Sequence, residues 1–95
     1  MTEQMERERM VLGGMMVDGY DMRDVIRELN LGWANFSVEG LLIYAAIVRL
    51  HLRRMPIDQV TVVEELLKRD ELDLAGGPHG IAEIAGAYVG YELRR

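Results

Sequence analysis

The middle of the chain consists of Leu41-Leu42-Ile43-Tyr44-Ala45-Ala46-Ile47-Val48-Arg49-Leu50, a stretch that is apolar at almost every position. A surface helix carries a narrower apolar stripe, so the stretch predicts a helix that neighbouring elements cover on most sides. Ser37 suits the N-cap because its hydroxyl can accept a hydrogen bond from the first turn. Arg53 and Arg54 suit the negative end of the helix dipole, and Pro56 prevents continuation. We therefore expect a buried central helix over about residues 37–54.

Length and composition narrow the class of protein. A chain of 95 residues accommodates one domain with one modest core. The absence of cysteine excludes disulfides, thiolate metal sites and thiol nucleophiles. No apolar run reaches the ~20 residues of a membrane helix, and the charged N-terminus does not resemble a signal peptide. The formal net charge of −5 argues against a general nucleic-acid binder. We expect a cytoplasmic protein with a single domain over residues 1–95, without metal or cofactor.

Two helices are predicted before the central one. Residues 3–17 carry apolar side chains at helical spacing, with Glu6, Arg7, Glu8 and Arg9 on the outer face. The Gly13-Gly14 pair indicates close approach of another helix. A phosphate loop would need lysine followed by serine or threonine after the glycines, and Met15-Met16 stand there instead. Asp21 caps a second helix that ends near Gly32. The two aromatic residues after that helix are expected to cover the core: Trp33 and Phe36.

Two more helices are predicted after Pro56. Thr61 and Glu64 are expected to form a capping box at the start of the fourth helix, and Glu65 and Arg69 to pair on its solvated face. Gly76-Gly77-Pro78 is expected to end that helix and begin the fifth. The inner stripe of the fifth helix is predicted to be Ile81, Ile84, Ala85 and Tyr88. The patterns together predict an all-α domain, a compact orthogonal bundle of about five helices.

Several motifs occur in an order that is found in a known family. The first predicted helix contains Glu6-Arg7-Glu8-Arg9-Met10-Val11-Leu12-Gly13-Gly14, and Phe36 precedes Ile43-Tyr44-Ala45-Ala46-Ile47. The segment Met55-Pro56-Ile57-Asp58-Gln59-Val60-Thr61-Val62 follows, and then Gly76-Gly77 with Ile81 and Ile84. Over about residues 6–85 this order resembles the N-terminal domain of bacterial DnaB-type replicative DNA helicases.

The resemblance implies a function in DNA replication. The family's N-terminal domain is a protein-interaction and assembly module that helps to recruit primase, so the partners it implies are a replicative helicase, a primase or a loader. The family domain continues into a helical hairpin and a RecA-type motor. Neither is found here: the only lysine, Lys68, precedes Arg69, so no Gly-x₄-Gly-Lys-Ser/Thr motif exists. We expect a non-enzymatic chain, either a truncated helicase domain or a free-standing relative, for example one that is phage-encoded.

Two other classes of function are compatible with the residues. One is a small acidic helical regulator with an unrelated protein partner. The other is a DNA-binding domain that uses the basic cluster Arg49, Arg53 and Arg54, although a solvated helix end favoured by the dipole explains the same cluster.

The last predicted helix has a face of small residues. Ala82, Gly86 and Gly90 recur every four residues, flanked by Tyr91, and two interior glycines disfavour a helix by roughly 2 kcal/mol relative to alanine. Close approach of a second backbone would explain them. We expect this face to be a protein interface that forms a symmetric homodimer. The alternative is that it packs against Gly13-Gly14 within one monomer.

Overall fold

The computed structural model describes residues 3–17, 19 and 37–93, with side chains described between 8 and 88. These residues form four α-helices: α1, Glu3–Val17; α2, Val38–Leu52; α3, Gln59–Lys68; and α4, Gly77–Leu93. No strand occurs within these ranges, so the prediction of an all-α fold is confirmed. The predicted helix from Asp21 to Gly32 lies outside the described residues, as do Trp33 and Phe36. The count of about five helices therefore remains a prediction.

The most extensive packing among the described helices joins α1 and α4. Gly13 lies at their closest approach. A Cβ atom built on Gly13 would lie 2.5 Å from the Cβ of Tyr88 and 2.9 Å from the backbone oxygen of Ile84. These distances are too short for any side chain, so the predicted close approach of another helix at Gly13 is confirmed.

One hydrophobic core joins the four described helices. The apolar stripes predicted for α1 and α4 are buried, apart from Met5, whose side chain lies outside the described set. Helix α3 contributes Val62 and Leu66, and the turn before α4 contributes Leu72 and Ala75. The buried residues of α1 and α4 are Val11, Leu12, Met15, Met16, Ile81, Ile84, Ala85 and Tyr88.

Helix α2 begins as predicted but is less buried than predicted. Ser37 is its N-cap, because its Oγ accepts from the N–H of Gly40 at 3.0 Å. The buried positions occupy about a third of the circumference, given 100° per residue, whereas Leu41 remains 43% exposed and Leu52 74% exposed. The expectation of a helix covered on most sides is therefore wrong on its outer side, since α1 and α3 are the described helices packed on it. The buried set is Gly40, Ile43, Ala46, Ile47 and Leu50.

The capping box of α3 lies one turn earlier than predicted. Asp58 is the N-cap, and its Oδ1 accepts from the N–H of Thr61 at 2.8 Å. In return, Thr61 Oγ1 accepts from the N–H of Asp58 at 2.9 Å. The predicted box between Thr61 and Glu64 is wrong, because an aspartate caps at least as well as a threonine and stands three residues upstream.

Helices α2 and α3 both end at a non-glycine residue in the left-handed region. Arg54 has a φ of 57° and Asp70 a φ of 58°. The residue after each donates its N–H to the carbonyl five positions upstream at 2.9 Å, which is the Schellman arrangement. The predicted continuation of α3 to Gly76 is therefore wrong, because the turn at Asp70 ends it at Lys68.

A short turn separates α3 from α4. Gly76, with a φ of 104°, occupies the left-handed position that ends the turn Leu72–Gly76, as a glycine readily does. Pro78 then lies in the first turn of α4, as predicted, where its missing N–H leaves no hydrogen bond unmade. None of the four described helices is both long enough and apolar enough to cross a membrane.

Candidate functional site

A buried carboxylate connects α2 and α3. Glu65 of α3 is only 3% exposed. Its Oε2 accepts a hydrogen bond from Arg49 Nε at 2.8 Å, and its Oε1 accepts one from Arg53 Nη2. Arg49 and Arg53 are one turn apart on α2, so their guanidinium groups face the same carboxylate. The pair of arginines supplies the compensation that a buried charge requires.

The ion network continues into the turn after α3. Arg49 Nη2 lies 3.6 Å from Glu71 Oε1, and Arg69 Nε lies 3.4 Å from the same oxygen. The hydrogen bonds from Arg49 and Arg53 lower the pKa of Glu65, and they outweigh the burial that acts to raise it. Glu65 therefore stays ionised and links α2 to α3.

This network corrects two sequence-based interpretations. Glu65 does not pair with Arg69 on a solvated face, because it points towards α2, and Arg69 contacts Glu71 instead. Arg49 and Arg53 are not simply a solvated helix end, since both neutralise Glu65. The same engagement weakens the DNA-binding hypothesis, because it leaves Arg54 as the member of the cluster without a described acidic partner.

A groove of about 370 Å³ lies where α1 passes the N-terminal turns of α2 and α4. Its floor is apolar and buried, and it carries three carboxylates. Three glycines, Gly40, Gly76 and Gly80, bring backbone to its wall. The floor consists of Leu12, Ala75 and Ile84, and the carboxylates are those of Glu8, Glu39 and Glu83.

Glu8 is the most buried of these three carboxylates. It is 6% exposed, and its Oε1 accepts from Ser37 Oγ at 2.6 Å. Ser37 therefore caps α2 with its lone pair and holds Glu8 with its proton. The placement of Glu8 on the outer face of the first helix is wrong, because the start of α2 packs over it. Glu83, by contrast, is exposed and pairs with His79 Nε2 at 3.0 Å.

Sequence reasoning missed both buried carboxylates, although a signal existed for each. Glu8 precedes Val11 and Leu12 by three and four positions, which places it on their buried face. Glu65 stands three residues after Val62 and directly before Leu66, and both of these are buried. A charged residue within a core stripe indicates a tertiary partner, but periodicity alone does not name that partner.

The predicted interface on α4 is only partly described. Ala82 is partly buried, Gly86 is exposed, and a Cβ on Gly86 would meet nothing within 4 Å. The side chains of Gly90 and Tyr91 lie outside the described set. Gly13 meets Ile84 and Tyr88 rather than the small-residue face, so the alternative of packing within the monomer is wrong for Gly86.

Comparison with known proteins gives two matches. The family model described as "DnaB-like helicase N terminal domain" matches residues 1–92. The Replicative DNA helicase DnaB of Leifsonia xyli subsp. xyli (strain CTCB07) is 36% identical over 70 residues, which cover 74% of this chain. The aligned region spans about 15% of that relative's length. No solved structure matches the chain.

Proposed function

This chain belongs to the DnaB-like helicase N-terminal domain family, and we propose that it is a protein-interaction module of the DNA replication machinery. Its partner in this proposal is a replicative helicase, a primase or a helicase loader in the cytoplasm. The observation that carries the proposal is the extent of the family match, residues 1–92 of 95. The proposal treats the whole chain as one domain. It applies equally to part of a longer helicase chain and to a separate protein, for example one that is phage-encoded.

We propose that the chain itself does not unwind DNA or hydrolyse nucleotides. The phosphate loop of a motor needs a lysine followed by serine or threonine, and the only lysine here precedes Arg69. The buried charged groups also have structural partners: Glu65 is bound by two arginines and Glu8 by Ser37. These pairings support binding rather than catalysis.

Copurification tests the proposed function. The tagged chain is mixed separately with a purified DnaB-type helicase and with its primase, and each mixture is resolved by size exclusion. We expect the chain to coelute with at least one of them, and we expect no ATP turnover to follow the peak of the chain alone. Failure with both proteins, together with stable capture of an unrelated protein, would favour the small acidic regulator instead.

We further propose that the small-residue face of α4, formed by Ala82, Gly86 and Gly90 with Tyr91, mediates self-association. The support is that Gly86 is exposed and has open space around it, while α1 uses another side of α4. Because the two subunits of a symmetric dimer use the same patch, one substitution alters both halves of the interface.

The variant Gly86→Leu tests this face, with His51→Leu as the matched control on an exposed position of α2. We expect both variants to keep the helical circular dichroism of the parent. The Gly86 variant should sediment as a monomer, and the His51 variant as a dimer. A parent chain that is monomeric at high micromolar concentration would remove the dimer proposal.

A further inference from the structure

We propose that the groove beside Glu8 binds an arginine side chain that a partner protein presents. The inference rests on the proposed function only in taking the occupant to be part of another protein. It adds the binding surface and the chemistry of the contact. The groove lies between α1 and the first turns of α2 and α4, on the opposite side of no described motor feature and apart from the Glu65 network.

The first argument is the incomplete hydrogen bonding of Glu8. A carboxylate offers about four acceptor positions, and one that is buried needs donors to offset its lost hydration. Among the described residues, Ser37 Oγ is the hydrogen-bond donor to Glu8, at 2.6 Å. Glu8 is 6% exposed and lines the groove, so a donor within the groove is what its carboxylate lacks.

The second argument is charge complementarity. Glu8, Glu39 and Glu83 contribute three carboxylates, while Arg9 contributes one guanidinium. The two helix N-termini add roughly half a positive charge each, so the groove keeps a net negative charge when His79 is neutral. A cationic occupant is therefore favoured over an anionic one, even though two helices begin here.

The third argument is the apolar floor. Leu12, Ala75 and Ile84 are buried beneath the groove and present no hydrogen-bonding side chain. A long side chain with a methylene stem and a charged head can cover such a floor while its head reaches the acidic rim. Arginine fits better than lysine, because its planar guanidinium donates several hydrogen bonds in a fork that matches a carboxylate.

The chain's own Arg9 also lines the groove, but it is the residue after Glu8 on α1. Successive side chains leave a helix about 100° apart, so Arg9 and Glu8 do not face each other. Arg9 therefore lowers the net negative charge of the groove without occupying the position beside Glu8. Its removal should strengthen the binding of a cation.

The test uses nuclear magnetic resonance on the ¹⁵N-labelled chain. The probe is the blocked peptide acetyl-Ala-Arg-Ala-amide at millimolar concentration, and the matched control is acetyl-Ala-Glu-Ala-amide. Gly40, Gly76 and Gly80 line the groove, and their amide signals serve as reporters. We expect saturable shifts of these three signals with the arginine peptide and none with the glutamate peptide.

Two variants and two controls make the assignment specific. Glu8→Gln keeps an acceptor for Ser37 but removes the charge, and it should weaken the arginine peptide about tenfold, the loss of one charged hydrogen bond. Glu83→Gln, on the exposed rim, should weaken it less and keeps the test open if Glu8→Gln fails to fold. Arg9→Gln should tighten binding. Glu64→Gln, on the exposed side of α3, should change nothing.

Three results would overturn the proposal. One is the absence of saturable shifts at the three glycines, and another is equal shifts with both peptides. The third is movement of the same glycine signals on concentrating the chain alone, which would make a second copy the occupant. Copurification with helicase or primase is a separate measurement. Its success without peptide binding would contradict only the groove, and peptide binding without copurification would contradict only the proposed replication partners.

Discussion

Gly13 and Tyr88 face each other across the α1–α4 contact, and a Cβ on Gly13 would lie 2.5 Å from the Cβ of Tyr88. The Ile84 carbonyl oxygen, 2.9 Å from the same point, belongs to the backbone of α4 and cannot rotate away. Any side chain at Gly13 must therefore push the two helices apart. This pair fixes how closely α1 and α4 pack, and it explains a glycine in the middle of a helix.

Gly13→Ala should destabilise the domain by about 1–3 kcal/mol, because the cost of overpacking exceeds the gain in helix propensity. Gly86→Ala is the matched control on α4. It adds the same methyl group in open space, so it should stabilise the helix by up to about 1 kcal/mol. Urea denaturation measures both changes at constant m-value. A Gly13→Ala variant as stable as the parent would contradict the observed approach of α1 and α4.

Glu65→Gln should destabilise the domain by about 2 kcal/mol, because two arginines lose their charged acceptor within the structure. Glu64→Gln changes the neighbouring, exposed residue in the same chemical way and should stay within about 0.5 kcal/mol of the parent. Thermal unfolding followed by circular dichroism compares the two. Equal midpoints for both variants would show that the Glu65 ion pairs contribute nothing to stability.

The pH dependence of stability should carry the signature of Glu65. Its pKa is lowered in the folded chain from the ordinary value of 4.5, so the unfolded chain binds a proton more readily. The stabilisation is therefore fully present above the unfolded value, and it is lost as the pH falls through the folded pKa. Unfolding free energies of the parent and Glu65→Gln, measured from neutral to acidic pH, should converge below about pH 4. A difference that stays constant across this range would contradict the lowered pKa.

Asp58→Ala should destabilise α3 by about 1 kcal/mol through loss of the N-cap, whereas Asp58→Asn should be nearly neutral because asparagine caps as well. Thr61→Ala should also destabilise, since Thr61 Oγ1 accepts from the N–H of Asp58. Denaturant midpoints of the three variants give the comparison. If Thr61→Ala destabilises while Asp58→Ala does not, the cap has been assigned to the wrong residue.

The sequence predicted the features that depend on nearby residues. The bounds of α1, the Ser37 cap and the position of Pro78 follow from helical period and local hydrogen bonding, and all three are confirmed. The cap of α3 was misassigned because Asp58 and Thr61 are both good caps within one turn. Its end was misplaced because Asp70 adopts a left-handed conformation that glycine usually supplies.

The sequence could not supply the contacts between distant residues. Glu65 is 16 positions from Arg49, and Glu8 is 29 positions from Ser37. Periodicity can place each carboxylate on a buried face, but the packing of α1, α2 and α3 selects its partner. The groove was missed for the same reason, since it forms only where three separate segments meet.

The central claim is that this domain binds a component of the replication machinery through its folded surface. Sedimentation velocity of the fluorescently labelled chain, alone and with a DnaB-type helicase or its primase, tests it most directly. We predict that the labelled chain sediments with at least one of them, and that Gly13→Ala loses binding only to the extent that it loses folding. If the folded chain sediments alone in both mixtures at micromolar concentration, the claim is contradicted.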